Sequence, residues 1–336
     1  MPPLLHPPAT DSQFHVPTMN PVKRLAADAI WAVSSHSPAL RRVMKPLGLR
    51  TPYTSYGGRV GSFATPDGRV VKLTHLERNY MSFELHWKGW EYYEPVTSLL
   101  LSHLAKQSAT FFDVGANIGY FTLIAAAGEP APTIHCFEPN PKLNPILNEN
   151  LRVNGFAATA QPLAVSASSG TMDMYVPTSD MSASLEAGFN AGESVRVEKI
   201  QTVSLDDYVD AHQIQGPLLM KVDVEGHEPG VIAGAHKVLE TIKPDMVLEV
   251  TEDAPWTQEH LDYFHGLGYR FHLIAPSGFV ESDDLGVQLH GQLEIRNRFV
   301  TTRPADEVRA LHEHLRPRIE QLDMSQSCLW KPNQEG

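Results

Sequence analysis

The chain has 336 residues, of which 42% are hydrophobic, and it carries a formal net charge of -12. A chain of this length and composition has enough apolar material to bury a core in one large domain or two modest ones. The acidic balance gives no overall basic field that would attract a phosphate backbone. We therefore do not expect nucleic acid as a partner or substrate.

Cysteine usage and the first residues of the chain bear on its compartment. Cys136 lies in an apolar run and Cys328 near a polar tail, which suggests no disulfide framework and fits a reducing compartment. The proline-rich start lacks the uninterrupted apolar segment of a signal peptide, and no later apolar run approaches the roughly 20 residues that span a bilayer. We expect a cytoplasmic protein with no membrane partner.

The chain ahead of residue 101 is predicted to form two segments. Repeated prolines and few core-forming residues predict disorder over residues 1–22. Residues 23–100 are predicted to form a small addition of helices and a hairpin. Apolar residues fall at helical spacing between Pro21 and Leu49, and Asp67-Gly68 marks a tight turn between β-prone stretches.

From residue 101 to residue 303, apolar strands alternate with helices. A buried parallel sheet covered on both faces requires this alternation, so we predict a doubly wound, Rossmann-like α/β domain over these residues. The last two strands are expected to form an antiparallel pair, and residues 304–336 a C-terminal helix and tail. The predicted strands are Thr110–Val114, Thr133–Phe137, Gln161–Val165, Leu218–Val224, Met246–Val250, Tyr269–Ile274 and Leu293–Thr301, and the main helices are Glu94–Leu104, Tyr120–Ala127, Pro141–Asn154, Gly230–Thr241 and Ala305–Leu322.

The first of these strands ends in an acidic residue and turns into a helix through two glycines. The run is Phe111-Phe112-Asp113-Val114-Gly115-Ala116-Asn117-Ile118-Gly119. In an open parallel sheet, ligands bind beyond the carboxyl ends of the strands, and glycine lets ligand atoms approach the backbone closely. The run is therefore a candidate cofactor-binding turn. The alternative is a plain strand-to-helix connection.

The second strand ends at Phe137-Glu138-Pro139-Asn140, about one βαβ step after the first glycine. A carboxylate at this position can accept both ribose hydroxyls of a nucleoside, although a solvated strand-end charge is the alternative for Glu138. A nicotinamide dinucleotide normally needs the pattern G-x-G-x-x-G, whose later glycines are replaced here by Asn117 and Tyr120. S-adenosylmethionine has no pyrophosphate, and carboxylates suit its ammonium and sulfonium charges. It is the preferred cofactor.

A second group of polar residues emerges from the apolar run that begins at Leu218. Strand alternation puts Lys221, Asp223 and Glu225 on one side. A hydroxyl acceptor must lose its proton during methyl transfer, and Asp223, Glu225 and His227 stand at the right end of the sheet to hold or deprotonate it. Of these, His227 has the intrinsic pKa nearest neutrality. A structural pair between Lys221 and Asp223 is the alternative.

A metal site is a less favoured possibility at the same end of the sheet. Glu249 lies near the end of the next predicted strand, where its carboxylate can meet that of Asp223. Two carboxylates at neighbouring strand ends can bind a hard cation such as Mg²⁺. We prefer a site without a metal.

The informative segments agree in order and spacing with one family. They are Asp113–Phe121, Phe137–Pro141, Asn150–Asn154, Leu205–Tyr208 and Lys221–Glu228, within about residues 92–275, a stretch that starts with the helix at Tyr93-Glu94-Pro95. Together they resemble FkbM-type methyltransferases. The resemblance implies a class I methyltransferase fold, S-adenosylmethionine as donor, and methylation of a hydroxyl on a sugar, polyketide or other secondary metabolite. It also implies that Asp113, Gly115, Asn117 and Gly119 line the methionine end of the donor, while Glu138, followed by Pro139 and Asn140, holds the ribose.

The leading hypothesis is thus an O-methyltransferase that acts on a small-molecule or glycosylated acceptor. A nitrogen or carboxylate acceptor, an adenosyl-binding module without catalysis, and a nicotinamide-dependent dehydrogenase stay open, and no oligomeric state is predicted. Ser182–Gly192 is either a mobile loop near the site or a linker. Aromatic residues that form either a sugar-stacking wall or core packing are Trp87, Trp90, Tyr92, Tyr93 and Trp256.

Overall fold

A computed structural model describes most of the chain from Pro21 onward. The described residues are 21–34, 41, 58–77, 79–177, 184–185, 195–251, 254–286, 288–290, 293–324 and 327. Residues 1–20 of the segment predicted to be disordered, and Cys328, lie outside these ranges. Within them, no helix is long and apolar enough to cross a bilayer.

The N-terminal part contains the predicted helices and hairpin. Its helices are Pro21–Ser34, Tyr80–Lys88 and Pro95–Ala105, with a 3-10 turn at Trp90–Tyr92. The first helix includes the last two residues of the segment predicted to be disordered, because proline is well tolerated in the first turn of a helix. Strands β1 (Gly61–Ala64) and β2 (Val70–Leu73) form the antiparallel hairpin around Asp67-Gly68.

The remaining strands belong to one large and two small sheets. They are β3 Thr110–Val114, β4 Thr133–Phe137, β5 Ala158–Gln161, β6 Ala164–Val165, β7 Gly170–Pro177, β8 Val195–Val203, β9 Leu218–Val222, β10 Asp245–Glu249, β11 Arg270–Ala275, β12 Gly278–Ser282, β13 Gln288–His290, β14 Leu293–Ile295 and β15 Asn297–Thr301. The large sheet has the order β12-β11-β15-β10-β9-β3-β4-β5. Strands β5, β4, β3, β9 and β10 run parallel, while β15 is antiparallel to both β10 and β11.

This topology confirms the predicted doubly wound sheet with an antiparallel pair near its end. The chain runs outward from β3 through β4 to β5, and then outward in the opposite direction from β9 to β10. The strand order therefore reverses between β3 and β9, and a cleft opens there beyond the carboxyl ends of the strands.

Strand alternation gives the sheet two buried faces, each covered by helices. Phe111, Leu219 and Val247 belong to one core cluster, whereas their neighbours Phe112, Met220 and Leu248 belong to the other. The first face packs on Pro95–Ala105, Tyr120–Ala126, Asn144–Asn154 and Ala305–Ile319, and the second on Leu205–His212, Glu228–Ala233, His236–Thr241 and Gln258–Gly266. Helices on both faces are what the sequence predicted.

A three-stranded sheet of β6, β8 and β7 was not predicted. The predicted strand Gln161–Val165 is wrong as a single strand: Gln161 ends β5 in the large sheet, and Ala164-Val165 pairs with β8 in the small one. Pro162 separates the two parts and has no N–H to continue a ladder.

Other predicted elements also end or divide differently: for example, the predicted helix Pro141–Asn154 begins at Asn144, and the predicted helix Ala305–Leu322 ends at Ile319. The predicted helix Gly230–Thr241 is two helices, divided at Gly234, where a Cβ would come within 2.1 Å of the Ser166 carbonyl oxygen. The predicted strand Leu293–Thr301 divides at Arg296 into β14 and β15. Strand β9 ends at Val222, so Asp223 and Val224 belong to the following loop.

Candidate active site

A large cavity lies at the carboxyl ends of β3, β4 and β9, where the strand order reverses. It contains about 860 Å³ of empty space, including its open mouth. Predicted site residues that line it are Gly115, Asn117, Glu138, Pro139, Asp223 and Glu225. Asp113, Gly119, Asn140 and His227 are not among its lining residues.

The turn after β3 packs directly on the loop after β9. The N–H groups of Gly115 and Ala116 both donate to the Phe137 carbonyl, at 3.0 and 2.9 Å. Gly115 has a φ of +84°, and a Cβ there would come within 1.8 Å of the Asp223 carbonyl oxygen. A glycine is therefore required for the two loops to meet at the floor of the cavity.

Glu138 presents a rigidly held carboxyl group to the cavity. One oxygen accepts the Asn117 N–H and the other accepts the Asn140 N–H, both at 2.8 Å. Burial raises the pKa of Glu138 to about 7, against the opposing effect of these hydrogen bonds. Each carboxylate oxygen keeps a further lone pair, so the group can still accept hydrogen bonds from a ligand diol.

Asp113 holds the turn together from outside the cavity wall. Its side chain is buried, and Oδ2 accepts both the N–H of Thr122 at 2.8 Å and its hydroxyl at 2.6 Å. This pairing fixes the carboxylate at the start of helix Tyr120–Ala126, where the helix dipole favours negative charge. Burial nevertheless raises the pKa of Asp113 to about 6.

Gly119 and Asn140 also shape the site without lining it. A Cβ on Gly119 would come within 2.5 Å of Leu147 Cδ1, so this glycine allows close helix packing. The Asn140 side chain is buried and its Oδ1 accepts the Lys142 N–H at 2.9 Å, while the backbone N–H of Asn140 donates to Glu138.

The loop after β9 is held by Glu228. One of its carboxylate oxygens accepts the N–H groups of Val224 at 3.0 Å and Gly226 at 3.2 Å. Between them, Glu225 has a φ of +55°, in the left-handed region that non-glycine residues seldom adopt. Glu228 thus fixes the backbone that presents Glu225 to the cavity.

His227 lies on the far side of this loop. Its Nε2 is 2.9 Å from the Ser166 hydroxyl, and a Cβ on Gly230 would come within 2.4 Å of the imidazole ring. The side chain is buried between the loop and the strand end at β6. Its predicted role as the base is therefore not supported by its position, because the ring does not line the cavity.

A buried cluster of charged groups lies behind Asp223. The fully buried Lys221 ammonium donates to Asp223 Oδ2 and Asn297 Oδ1, both at 3.1 Å, so the predicted Lys221–Asp223 pair is present. Burial opposes ionisation of Asp223, but the Lys221 charge lowers its pKa below the usual value. Glu94 was not predicted to belong to this site, although it lies in the Tyr93-Glu94-Pro95 run at which the family resemblance begins.

Asp223 and Glu249 do meet across neighbouring strand ends, as predicted. Burial, and then the charge of Asp223, raise the pKa of Glu249 well above its usual value, and the two carboxyls are hydrogen-bonded to each other. Together with Glu94 they can bring one oxygen each within 4.8 Å of one another, which is compatible with a cation. The Lys221 ammonium already places a positive charge among them, and a metal there stays a prediction.

Glu225 lines the large cavity and has a raised pKa. Burial, and then the charges of Asp223 and Glu228, raise its pKa to about 8. A group that lines a cavity and titrates near neutrality is suited to accept a proton during a reaction.

An aromatic wall lines the cavity, but only one of its members was predicted. The ring of Tyr93 packs edge-on against that of Tyr120, with 5.5 Å between the ring centroids, and its centroid lies 6.1 Å from that of Phe121. Of the other predicted wall residues, Trp87 is buried in the core and Trp256 packs edge-on against His260. Neither of these two lines the cavity, and Trp90 and Tyr92 do not line it either.

The small unpredicted sheet and the residues next to it supply another part of the wall. Leu163 and Met174 line the cavity, and so do Ser184 and Leu185, whose neighbours within the predicted Ser182–Gly192 loop lie outside the described residues. The Ser184 hydroxyl donates to the Glu225 carbonyl at 2.6 Å, which ties this segment to the loop after β9. These residues carry no motif, so the sequence offered no signal for them.

Asn150 connects the N-terminal hairpin to the cofactor turn. Its Oδ1 accepts both the N–H and the hydroxyl of Thr74 at 2.8 Å, and its Nδ2 donates to the Ile118 carbonyl at 2.9 Å. Asn150 belongs to the segments that resemble the family, and it stabilises the cofactor turn rather than lining the cavity.

The chain is similar in sequence to known methyltransferases. The family model of the Methyltransferase FkbM domain matches residues 113–271. Hexuronic acid methyltransferase AglP of Haloferax volcanii is 33% identical over 153 residues, which span 44% of this chain and 59% of that protein. The 31-O-demethyl-FK506 methyltransferase FkbM of Streptomyces tacrolimicus is 30% identical over 205 residues, which span 53% of this chain and 77% of that protein.

Among solved structures, Methyltransferase FkbM from Methylobacillus flagellatus KT superposes with a TM-score of 0.41 and 14% identity, covering 83% of this chain and 59% of that chain. The chain thus spans less than two thirds of AglP and of that structure. The match to the Streptomyces tacrolimicus protein extends over more than three quarters of its length. This chain belongs to the FkbM family of methyltransferases.

Proposed function

We propose that this protein is an S-adenosylmethionine-dependent O-methyltransferase that acts on a hydroxyl of a small metabolite or sugar. One observation carries the proposal: Glu138 and the pair Asp223 and Glu225 line a single cavity at the reversal of a doubly wound sheet. Family membership supports methyl transfer, and the names of the two relatives give hexuronic acid and 31-O-demethyl-FK506 as what those proteins methylate.

The side chains that line the cavity suit S-adenosylmethionine. Glu138 would accept the ribose hydroxyls, because its carboxylate is fixed by two backbone N–H groups and keeps free lone pairs. The aromatic faces of Tyr93 and Phe121 and the carboxylates beside them suit a positively charged sulfonium. When bound, this cofactor supplies an electrophilic methyl group.

The residues of the second loop would handle the acceptor. Glu225 is the proposed base that takes the hydroxyl proton onto its carboxylate, because it lines the cavity and its pKa is raised to about 8. Asp223, kept ionised by Lys221, would hold the hydroxyl by accepting a hydrogen bond. His227 and Glu228 would position the loop.

Calorimetry with S-adenosylmethionine, S-adenosylhomocysteine and NAD tests the cofactor, with EDTA added in a parallel series. Saturable binding of both adenosyl compounds, with none of NAD and no effect of EDTA, is the expected outcome. Tight NAD binding without adenosyl binding would mean a dehydrogenase. A loss of binding or turnover in EDTA that Mg²⁺ restores would assign the Glu94, Asp223 and Glu249 group to a metal.

The acceptor type is tested with methyl-labelled donor and a panel of sugars, hexuronic acids and hydroxylated macrolides. Base-stable, label-bearing ethers are expected. Base-labile label indicates a carboxylate acceptor, for which substitution of Glu225 should cost little because no proton must be removed. Binding of the donor with no transfer to any hydroxyl, amine or carboxylate compound would indicate a binding module without catalysis.

A further inference from the structure

The backbone around Glu225 is held by side chains at both of its polar ends. Glu228 accepts the N–H groups of Val224 at 3.0 Å and Gly226 at 3.2 Å, while the Ser184 hydroxyl donates to the Glu225 carbonyl at 2.6 Å. The Gly226 N–H and the Glu225 carbonyl belong to one planar peptide group. The peptide that follows Glu225 is therefore fixed at its N–H by one side chain and at its carbonyl by another.

This loop depends on such contacts for its conformation. Glu225 has a φ of +55°, which is strained for a residue with a side chain, and Gly226 has a φ of +93° and restricts the chain little. A strained residue keeps one conformation only when the surrounding structure holds it there. The direction in which the Glu225 side chain leaves the loop is thus set by hydrogen bonds.

Ser184 reaches the Glu225 carbonyl from a distant part of the chain. It is only 1% exposed, and it pairs with Tyr175 of β7 through two backbone hydrogen bonds of 2.8 and 3.1 Å. The residues next to this pair, Met174 and Leu185, line the large cavity. The hydroxyl that binds the loop is thus anchored in the cavity wall, outside every segment that carries the family resemblance.

We propose that Ser184 is a positioning residue for methyl transfer: its hydroxyl, by binding the Glu225 carbonyl, aims the Glu225 carboxylate at the acceptor hydroxyl. In the transfer, the acceptor oxygen bonds to the methyl carbon, the electron pair of the carbon–sulfur bond goes to sulfur, and the hydroxyl proton goes to Glu225. A base must lie within about 2.6–3.2 Å of the oxygen whose proton it takes, so a small rotation of the loop takes it out of range. The inference rests on the proposed function, in which Glu225 is the base.

A double-mutant cycle distinguishes positioning from a purely structural role. Single-turnover rates are compared for wild type, Ser184→Ala, Glu225→Gln and the double variant. The donor is methyl-labelled S-adenosylmethionine, and the acceptor probes are methyl β-D-glucopyranoside, methyl β-D-glucuronide and a hydroxylated macrolide. Ser184→Ala should lower the rate about tenfold when Glu225 is present, because the base loses its alignment, and less than about twofold in the Glu225→Gln background. The Kd for S-adenosylhomocysteine should change less than about twofold in Ser184→Ala, since a misaligned base affects the reaction and not cofactor binding.

The matched control is Ser108→Ala. The Ser108 hydroxyl also donates to a backbone carbonyl, that of Leu104 at 2.9 Å, and Ser108 does not line the cavity. Its substitution should leave the rate within about twofold of wild type.

The positioning role is overturned by a wild-type rate in Ser184→Ala, by an equal loss in the Glu225→Gln background, or by an equal loss in Ser108→Ala. It is also overturned if S-adenosylhomocysteine binding weakens as much as the rate falls. Normal turnover in Glu225→Gln would remove both the positioning role and the proposed base. A wild-type chain that transfers no methyl group to any of the probes would instead contradict the proposed function itself.

Discussion

The two acidic segments of the site, residues 113–138 and 221–228, use their carboxylates in the same two ways. In each segment, one carboxylate lies outside the cavity lining and fixes the backbone: Asp113 binds Thr122, and Glu228 accepts the N–H groups of Val224 and Gly226. In each, another lines the cavity: Glu138 in the first segment, and Glu225 with Asp223 in the second.

The segments differ in how their lining carboxylates are held. Both oxygens of Glu138 accept backbone N–H groups, which suits a fixed binding contact. Glu225 stands on left-handed backbone beside other carboxyls that repel its charge, and its pKa of about 8 suits proton transfer. The comparison suggests that the first segment binds and the second reacts.

The largest expected effect comes from Glu225→Gln. Removing a general base typically costs about 10²-fold to 10⁴-fold in rate, so turnover should fall by that amount while the Kd for S-adenosylhomocysteine changes less than about threefold. Radiometric turnover and calorimetry measure the two quantities. Glu149→Gln, on an exposed carboxylate of helix Asn144–Asn154, is the control. Normal turnover in Glu225→Gln would remove the distinction between a binding and a reacting segment.

The pH dependence of turnover sharpens the same distinction. A carboxyl with a pKa of about 8 is mostly protonated at pH 7 and becomes a base as the pH rises. Turnover should therefore rise about tenfold per pH unit well below pH 8 and level off above it, a change of about 50-fold between pH 6 and pH 8. Glu225→Gln should flatten this rise. A wild-type profile that is flat from pH 6 to pH 9 contradicts the assignment.

Glu138→Ala should weaken cofactor binding rather than turnover at saturation. Loss of a hydrogen-bond partner to a charged group costs about 1.5–3 kcal/mol, or roughly 10-fold to 150-fold in Kd. Titration calorimetry with S-adenosylhomocysteine measures it, and Asp113→Asn should change the Kd less because Asp113 does not line the cavity. If Asp113→Asn weakens binding more than Glu138→Ala, the division between holding and lining carboxylates in this segment is wrong.

The smallest effect is expected from Glu228→Ala, and it should appear in stability. The substitution leaves the N–H groups of Val224 and Gly226 without their acceptor, at a cost of about 1–3 kcal/mol in the free energy of unfolding. Urea denaturation measures it. Glu228→Gln retains an acceptor oxygen and should lose less. Equal stability of Glu228→Ala and wild type would show that this carboxylate does not hold the loop.

Much of the fold followed from patterns that are local in sequence. Apolar runs such as Thr110–Val114 and Thr133–Phe137 are observed as strands with the predicted limits, because a strand buried on both faces must be continuously apolar. The division of Gly230–Thr241 at Gly234 was missed, since the close approach of the Ser166 carbonyl is a contact between distant segments. The small sheet was missed because its strands are partly exposed and lack a strong apolar pattern.

For the site, the sequence by itself determined where acidic residues leave the sheet, because parallel strands must bring their carboxyl ends to one edge. Only the tertiary structure decided which of these side chains reach the cavity. Asp113 and Glu138 are both carboxylates near strand ends. Asp113 accepts a hydrogen bond from Thr122 inside the protein, whereas the N–H groups of Asn117 and Asn140 hold Glu138 at the cavity wall. Glu94 joins Lys221 and Asp223 from more than 100 residues away, and such a contact is fixed by packing rather than by any pattern along the chain.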